Sequence, residues 1–129
     1  MHRLVSHVRV VVGALALAFG LCTACYTPSV PLPPPLIEQM SFTDGQTAGT
    51  VILSSPAQAQ IGAVRFSVFN VSKGVGVIFL SNADGSFTSP PFVGADGDYI
   101  DISYDSNNES TDRCTTLHVG GSLIGSDCH

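Results

Sequence analysis

The 129-residue chain has no tryptophan, only three tyrosines, and only five lysines and arginines against ten acids. The shortage of bases argues against a nucleic-acid binder, because that affinity comes from cationic side chains displacing condensed counterions. The imbalance is uneven along the chain. Before Cys25 the charged side chains are Arg3 and Arg9; after it Arg65, Lys73 and Arg113 face all ten acids, a net of −7. The motifs of common catalysis are also missing: G-x-S-x-G, a phosphate-binding glycine loop and H-E-x-x-H. Beyond Cys25 the histidines are His118 and His129, the second at the last position. A non-catalytic protein is predicted, with no cofactor and no resident metal. An envelope enzyme built on an unfamiliar cluster around His118 is the alternative.

Also lacking is an apolar run long enough to span a membrane, which takes about 20 residues. The apolar stretch Val10 to Leu21, VVVGALALAFGL, carries no charge and is preceded by Arg3 and Arg9. A basic start followed by an apolar core of this length predicts a cleaved signal peptide over residues 1–24.

The segment closes on Leu21-Cys22-Thr23-Ala24-Cys25. It resembles the lipobox of bacterial lipoproteins, in which small residues precede a cysteine that is acylated before cleavage. Ala24 and Thr23 fit that pattern, while Cys22 stands where the family prefers leucine. The resemblance implies lipidation at Cys25 with a diacylglyceryl group and an amide-linked acyl chain. Tyr26, rather than an aspartate, follows the cysteine, and this implies an outer-membrane location. One acyl chain holds a protein weakly, at about 0.8 kcal/mol per buried methylene, and two or more hold it stably. The alternative is ordinary cleavage after Ala24, giving a secreted or periplasmic protein.

Residues 25–35 then form a tether. Five of the ten residues in Tyr26 to Pro35 are proline, which fixes φ and removes backbone donors. Such a stretch favours an extended, semi-rigid spacer at about 3.1 Å per residue. A proline-rich ligand for another domain is the rival reading.

The body, residues 36–129, reads as all-β. Val64 to Val68 and Tyr99 to Tyr104 alternate apolar and polar, the period of a half-buried strand. Phe69 and Val71 carry the apolar positions onto the other register, which points to a bulge. Val75 to Leu80, VGVIFL, is continuously apolar and predicts a strand covered on both faces. Weaker strand signals lie at 38–42, 50–54, 86–88 and 115–119. Glycine with aspartate, asparagine or lysine marks the turns between them. About seven short strands at this spacing predict a single small antiparallel β-sandwich.

Asn82-Ala83-Asp84-Gly85-Ser86-Phe87, followed by Gly97-Asp98-Tyr99-Ile100-Asp101-Ile102, resembles the second half of bacterial immunoglobulin-like domains. The match runs from about Val64 to Tyr104 and implies an immunoglobulin-like sandwich. The family's glycine-asparagine ending is replaced here by Asp105 to Ser110, so the last strand is left open. A carboxypeptidase-regulatory-like or transthyretin-like sandwich is the second choice of fold.

Cys114 and Cys128 remain beyond the lipobox, and an even pair in an exported chain predicts a disulfide. Metal binding with His118 or His129 is the rival, but the spacing is not that of a compact metal site. Among the acids, alternation turns Asp101 outward to water. Asp105, Asn107, Glu109 and Asp112 are the one local set that offers oxygen ligands for calcium, without the glycine or spacing of a known calcium loop. The sequence therefore predicts a lipid-anchored envelope module that contacts a protein or surface polysaccharide through exposed edge strands. A calcium- or small-ligand-binding envelope lipoprotein is the alternative.

Overall fold

The computed structural model describes residues 30–128. The signal segment 1–24, Cys25, the start of the tether and His129 lie outside the described residues.

After a 3-10 turn, Ile37–Gln39, the described residues form eight strands: Ser41–Asp44 (β1), Thr50–Ser55 (β2), Arg65–Asn70 (β3), Val75–Leu80 (β4), Phe87–Thr88 (β5), Phe92–Val93 (β6), Tyr99–Ser106 (β7) and Glu109–Thr116 (β8). They make two antiparallel sheets. In the first, β2 lies between β1 and the short pair β5 and β6; the second runs β4-β3-β7-β8. The chain is a small antiparallel β-sandwich.

Its core includes the inward positions predicted by alternation, Phe66, Val68, Ile100, Ile102 and Tyr104, together with residues that alternation did not name. Phe42, Leu53, Phe66, Val68, Ile100, Ile102 and Leu117 are fully buried between the sheets. Phe66 sits at the centre, its ring 4.5 Å from Phe87 and 5.5 Å from Tyr104 by centroid. Burying such rings supplies much of the stabilisation of a domain this size, at roughly 25 cal/mol per Å2 of apolar surface.

Three details depart from the sequence reading. First, β3 has no bulge: it keeps one register with β4 and β7 from Arg65 to Asn70. Alternation simply continues, so Asn70 points inward and Phe69 outward. Asn70 is tolerated there because its polar atoms are bonded. Its amide donates to Asp98 Oδ2 at 2.8 Å and to the Val93 carbonyl at 3.1 Å, and its Oδ1 accepts from the Lys73 N–H. Second, the final strand is Glu109–Thr116, well before 115–119, and it follows β7 through a two-residue turn. Asn107 and Asn108 both take positive φ, 51° and 65°, the conformation that a tight hairpin of this twist demands and that asparagine tolerates. Third, β4 is not covered on both faces; it is the outermost strand of its sheet.

The folded unit also begins early. Leu32 packs against the core, and the Tyr104 hydroxyl donates to the Pro33 carbonyl. The last prolines of the tether are therefore bolted to the sandwich.

Candidate functional site

Edge strands expose unpaired backbone groups, and folded proteins usually blunt them. Three of the four edges here are blunted. At β8, the tail folds back so that Cys114 and Ser126 exchange both backbone bonds at 2.9 Å. At β1, Val119 bridges Phe42 and the Gly120 N–H donates to the Phe42 carbonyl. On the far side of the first sheet, β5 and β6 are two residues each, separated by Ser89-Pro90-Pro91. Proline cannot donate to a ladder, and Ser89 bridges the gap by taking the Leu53 N–H on its hydroxyl at 3.0 Å.

The fourth edge, β4, has none of these devices. It holds six residues without charge, proline or bulge, and its ladder partner is β3 alone. Its outward side chains are bare, with Ile78 67% and Leu80 74% exposed, and Phe69 (42%) and Val71 (49%) continue the apolar surface on the next strand and turn. Gly76 belongs to the same face. A Cβ there would meet the Val68 carbonyl oxygen at 2.5 Å and Phe69 Cα at 3.0 Å, so β4 can lie flat against β3 only with glycine at this position. An exposed apolar patch of this kind is a candidate contact surface. The continuous apolar run was visible in the sequence; its exposure was not, because periodicity does not say which strand is outermost.

Cys114 and Cys128 form the predicted disulfide, with Cα atoms 5.1 Å apart. It lies over Asp101, whose carboxylate and the two sulfurs fall within 4.8 Å of one another. Asp101 does project from the outward side of β7, yet the tail covers it rather than water. Its Oδ1 is the buried side-chain oxygen without a hydrogen-bond partner among the described residues. Burial, and then the neighbouring charge of Asp112, push its carboxyl above the ordinary aspartate value. This three-donor grouping is the one set of histidine, cysteine and carboxylate donors gathered within 4.8 Å among the described residues, and both of its sulfurs are spent in the disulfide.

Of the calcium candidates, Asp105, Asn107 and Glu109 line one surface recess at the β7–β8 turn, and Asp112 is not among its lining residues. Asp105 is engaged by the Arg65 Nε at 3.2 Å, and this hydrogen bond holds its carboxyl below the usual range. Glu109 lies opposite Ser106, and Asp112 opposite Ser103 three residues further along β8. The recess, of about 430 Å3, opens beside Arg65 and the β7–β8 turn, but the Arg65–Asp105 pair already occupies its polar side. Asp98 is consumed internally, by the Asn70 amide first and then the Ala95 N–H, which lower its pKa. His118 lies beyond the end of β8 rather than in a strand, and its Nδ1 is 3.2 Å from the exposed Asp96. A shallow recess of about 140 Å3 beside it is lined by Thr115, Thr116, Ser122 and Ile124. No hydrogen bond joins those hydroxyls to the ring among the described residues, so the pair lacks an aligned nucleophile.

Comparison with known proteins finds no matching family model, no matching curated protein and no matching solved structure.

Proposed function

We propose that the chain is a lipid-anchored protein of the bacterial cell envelope whose β-sandwich works by contact rather than catalysis. The observation that carries the contact reading is the uncharged, unblunted β4 edge with Ile78 and Leu80 bare on its face. The basic start, the short apolar core and Cys25 support the anchor, and the Cys114–Cys128 disulfide suits an oxidising compartment. The two sheets also support the immunoglobulin-like resemblance, since four strands ordered β4-β3-β7-β8 face a β1-β2-β5 sheet.

Intact-mass analysis of the membrane fraction tests the anchor. The expected product begins at Cys25, carries added acyl mass and lacks the two hydrogens of a closed disulfide. A soluble product with an unmodified first residue would overturn the anchored reading.

A further inference from the structure

We propose that the Cys114–Cys128 bond is an exchangeable latch on the β8 edge, opened by an external dithiol that attacks Cys128 while Asp101 gives a proton to the departing Cys114 sulfur. The latch is independent of the β4 contact and of the anchor.

The bond sits where opening it has a structural effect. Leu123 is the last side chain of the tail buried in the core. Beyond it, three features hold the chain to β8: the disulfide, the two backbone bonds between Cys114 and Ser126, and the Arg113–Asp127 pair at 3.1 Å. Opening the disulfide leaves two ladder bonds and a largely exposed ion pair, so the tail can lift and uncover the β8 edge.

The two sulfurs differ in access. Cys114 is 1% exposed, whereas Cys128 is partly exposed. A thiolate attacks one sulfur and expels the other. Entry is therefore at Cys128, and the expelled sulfur is the buried one, where charge is disfavoured. The surrounding groups do not relieve that charge. On β8 they are Asp112 and Arg113, the latter engaged by Asp127 of the tail. On β3 the residue opposite Asp101 is Phe69, which does not titrate, and on β7 Tyr99 and Ser103 share its face. A Cys114 thiolate thus needs a proton.

Asp101 is placed to supply it. It lies directly opposite Cys114 in the β7–β8 register, and its carboxylate and both sulfurs fall within 4.8 Å of one another. Its Oδ1 is buried and engaged in no hydrogen bond among the described residues, so nothing competes for the proton. Burial, and then Asp112, keep the acid form present above the ordinary aspartate range.

The exchange balances. One thiolate of the dithiol bonds to Cys128 Sγ, the Cys114–Cys128 bond breaks, and its electron pair goes to Cys114 Sγ, which takes the Asp101 proton. The second thiolate of the dithiol then displaces Cys128 Sγ, which takes a proton from water, as Asp101 does. The dithiol leaves as a cyclic disulfide, oxidised by two electrons, and the two cysteines are reduced by two.

The test uses the processed chain as it accumulates in cells, purified whole, with dithiothreitol as the dithiol. Reduction is followed at Cys114 and Cys128 by alkylation and peptide mass from about pH 4.5 to 8, each rate divided by the reductant's thiolate concentration. The corrected rate is expected to fall at least tenfold as pH rises in the wild type, and to stay flat in Asp101→Asn. Asp112→Asn, which alters an exposed side chain and keeps Asp101, is expected to move the fall to lower pH. Any contribution of His129 is common to all three proteins. Glutathione, a monothiol, is expected to be trapped on Cys128. A merely structural Asp101 would change the rate by one factor at every pH, and that result would overturn the proposal. So would glutathione trapped on Cys114, or a bond that the dithiol opens only in denaturant.

Discussion

Asp98 and Asp101 stand three residues apart on the same stretch of chain, and their surroundings shift them in opposite directions. Asp98 receives the Asn70 amide, the Ala95 N–H and the charge of Lys73, all of which favour its ionised form. Asp101 is covered by the Cys114–Cys128 disulfide, keeps one oxygen unbonded and faces Asp112, so ionisation there is opposed. Asp101→Asn removes the opposed charge while keeping the shape of the side chain, and is therefore expected to raise the melting temperature of the domain at pH 7. Asp101 titrates higher in the folded than in the unfolded state, so its penalty develops as pH rises from the ordinary aspartate value of 3.8 through the raised one. The gain from Asp101→Asn should consequently shrink in melts run below pH 4; a gain that does not depend on pH would remove the electrostatic account. Alternation correctly placed Asp101 on the outward side of its strand. It could not show that residues 117–128 return to roof that side, because the contact joins segments distant in sequence.

At the level of elements, the sequence was most informative where one face is wet and the other dry. Val64 to Val68 and Tyr99 to Tyr104 became β3 and β7, the central strands of the second sheet, and the inward residues the period named there, Phe66, Val68, Ile100, Ile102 and Tyr104, are in the core. Legibility failed where a polar residue took an inward place. Asn70 broke the apolar rhythm and suggested a bulge, whereas the strand had only exchanged a hydrophobic contact for three hydrogen bonds. It failed again at the tail, whose place depends on a covalent link. That link spans 14 positions, and closing a loop of this length stabilises by about 3 kcal/mol through the unfolded chain. Reduction, or Cys128→Ser, is expected to lower the melting temperature by more than about 10 °C. It should also expose the amides of Cys114 and Ser126 to hydrogen exchange. A melt unaffected by reduction would mean that the tail holds by packing alone.

For the whole molecule, pH is the broadest lever. Asp84, Asp98 and Asp105 are all held below the ordinary value, Asp84 by Ser86, Asp98 by Asn70 and Asp105 by Arg65, in each case through hydrogen bonds first. A group lowered on folding contributes fully above its unfolded pKa and loses that contribution as pH falls through the folded one. Three groups act in this sense and Asp101 in the other, so the net expectation is a stability plateau above about pH 5 and a decline below pH 4. Thermal melts across pH 2–7 check this, and a domain that melts higher at pH 3 than at pH 6 would contradict it. Fold class and the disulfide were legible from composition and pattern. The β4 edge was half legible: its apolar character is local, while its position at the rim is a property of the complete topology.

The hydrogen bond from Tyr104 to Pro33 bears on mechanics. A load arriving along the chain from its amino-terminal side does not first reach β1, which could be peeled from its sheet one bond at a time. It meets Leu32 and Pro33, clamped to an inner strand of the opposite sheet. Force is thus shared between both layers before any ladder is strained, and the prolines act as a stiff strut rather than a frayed end.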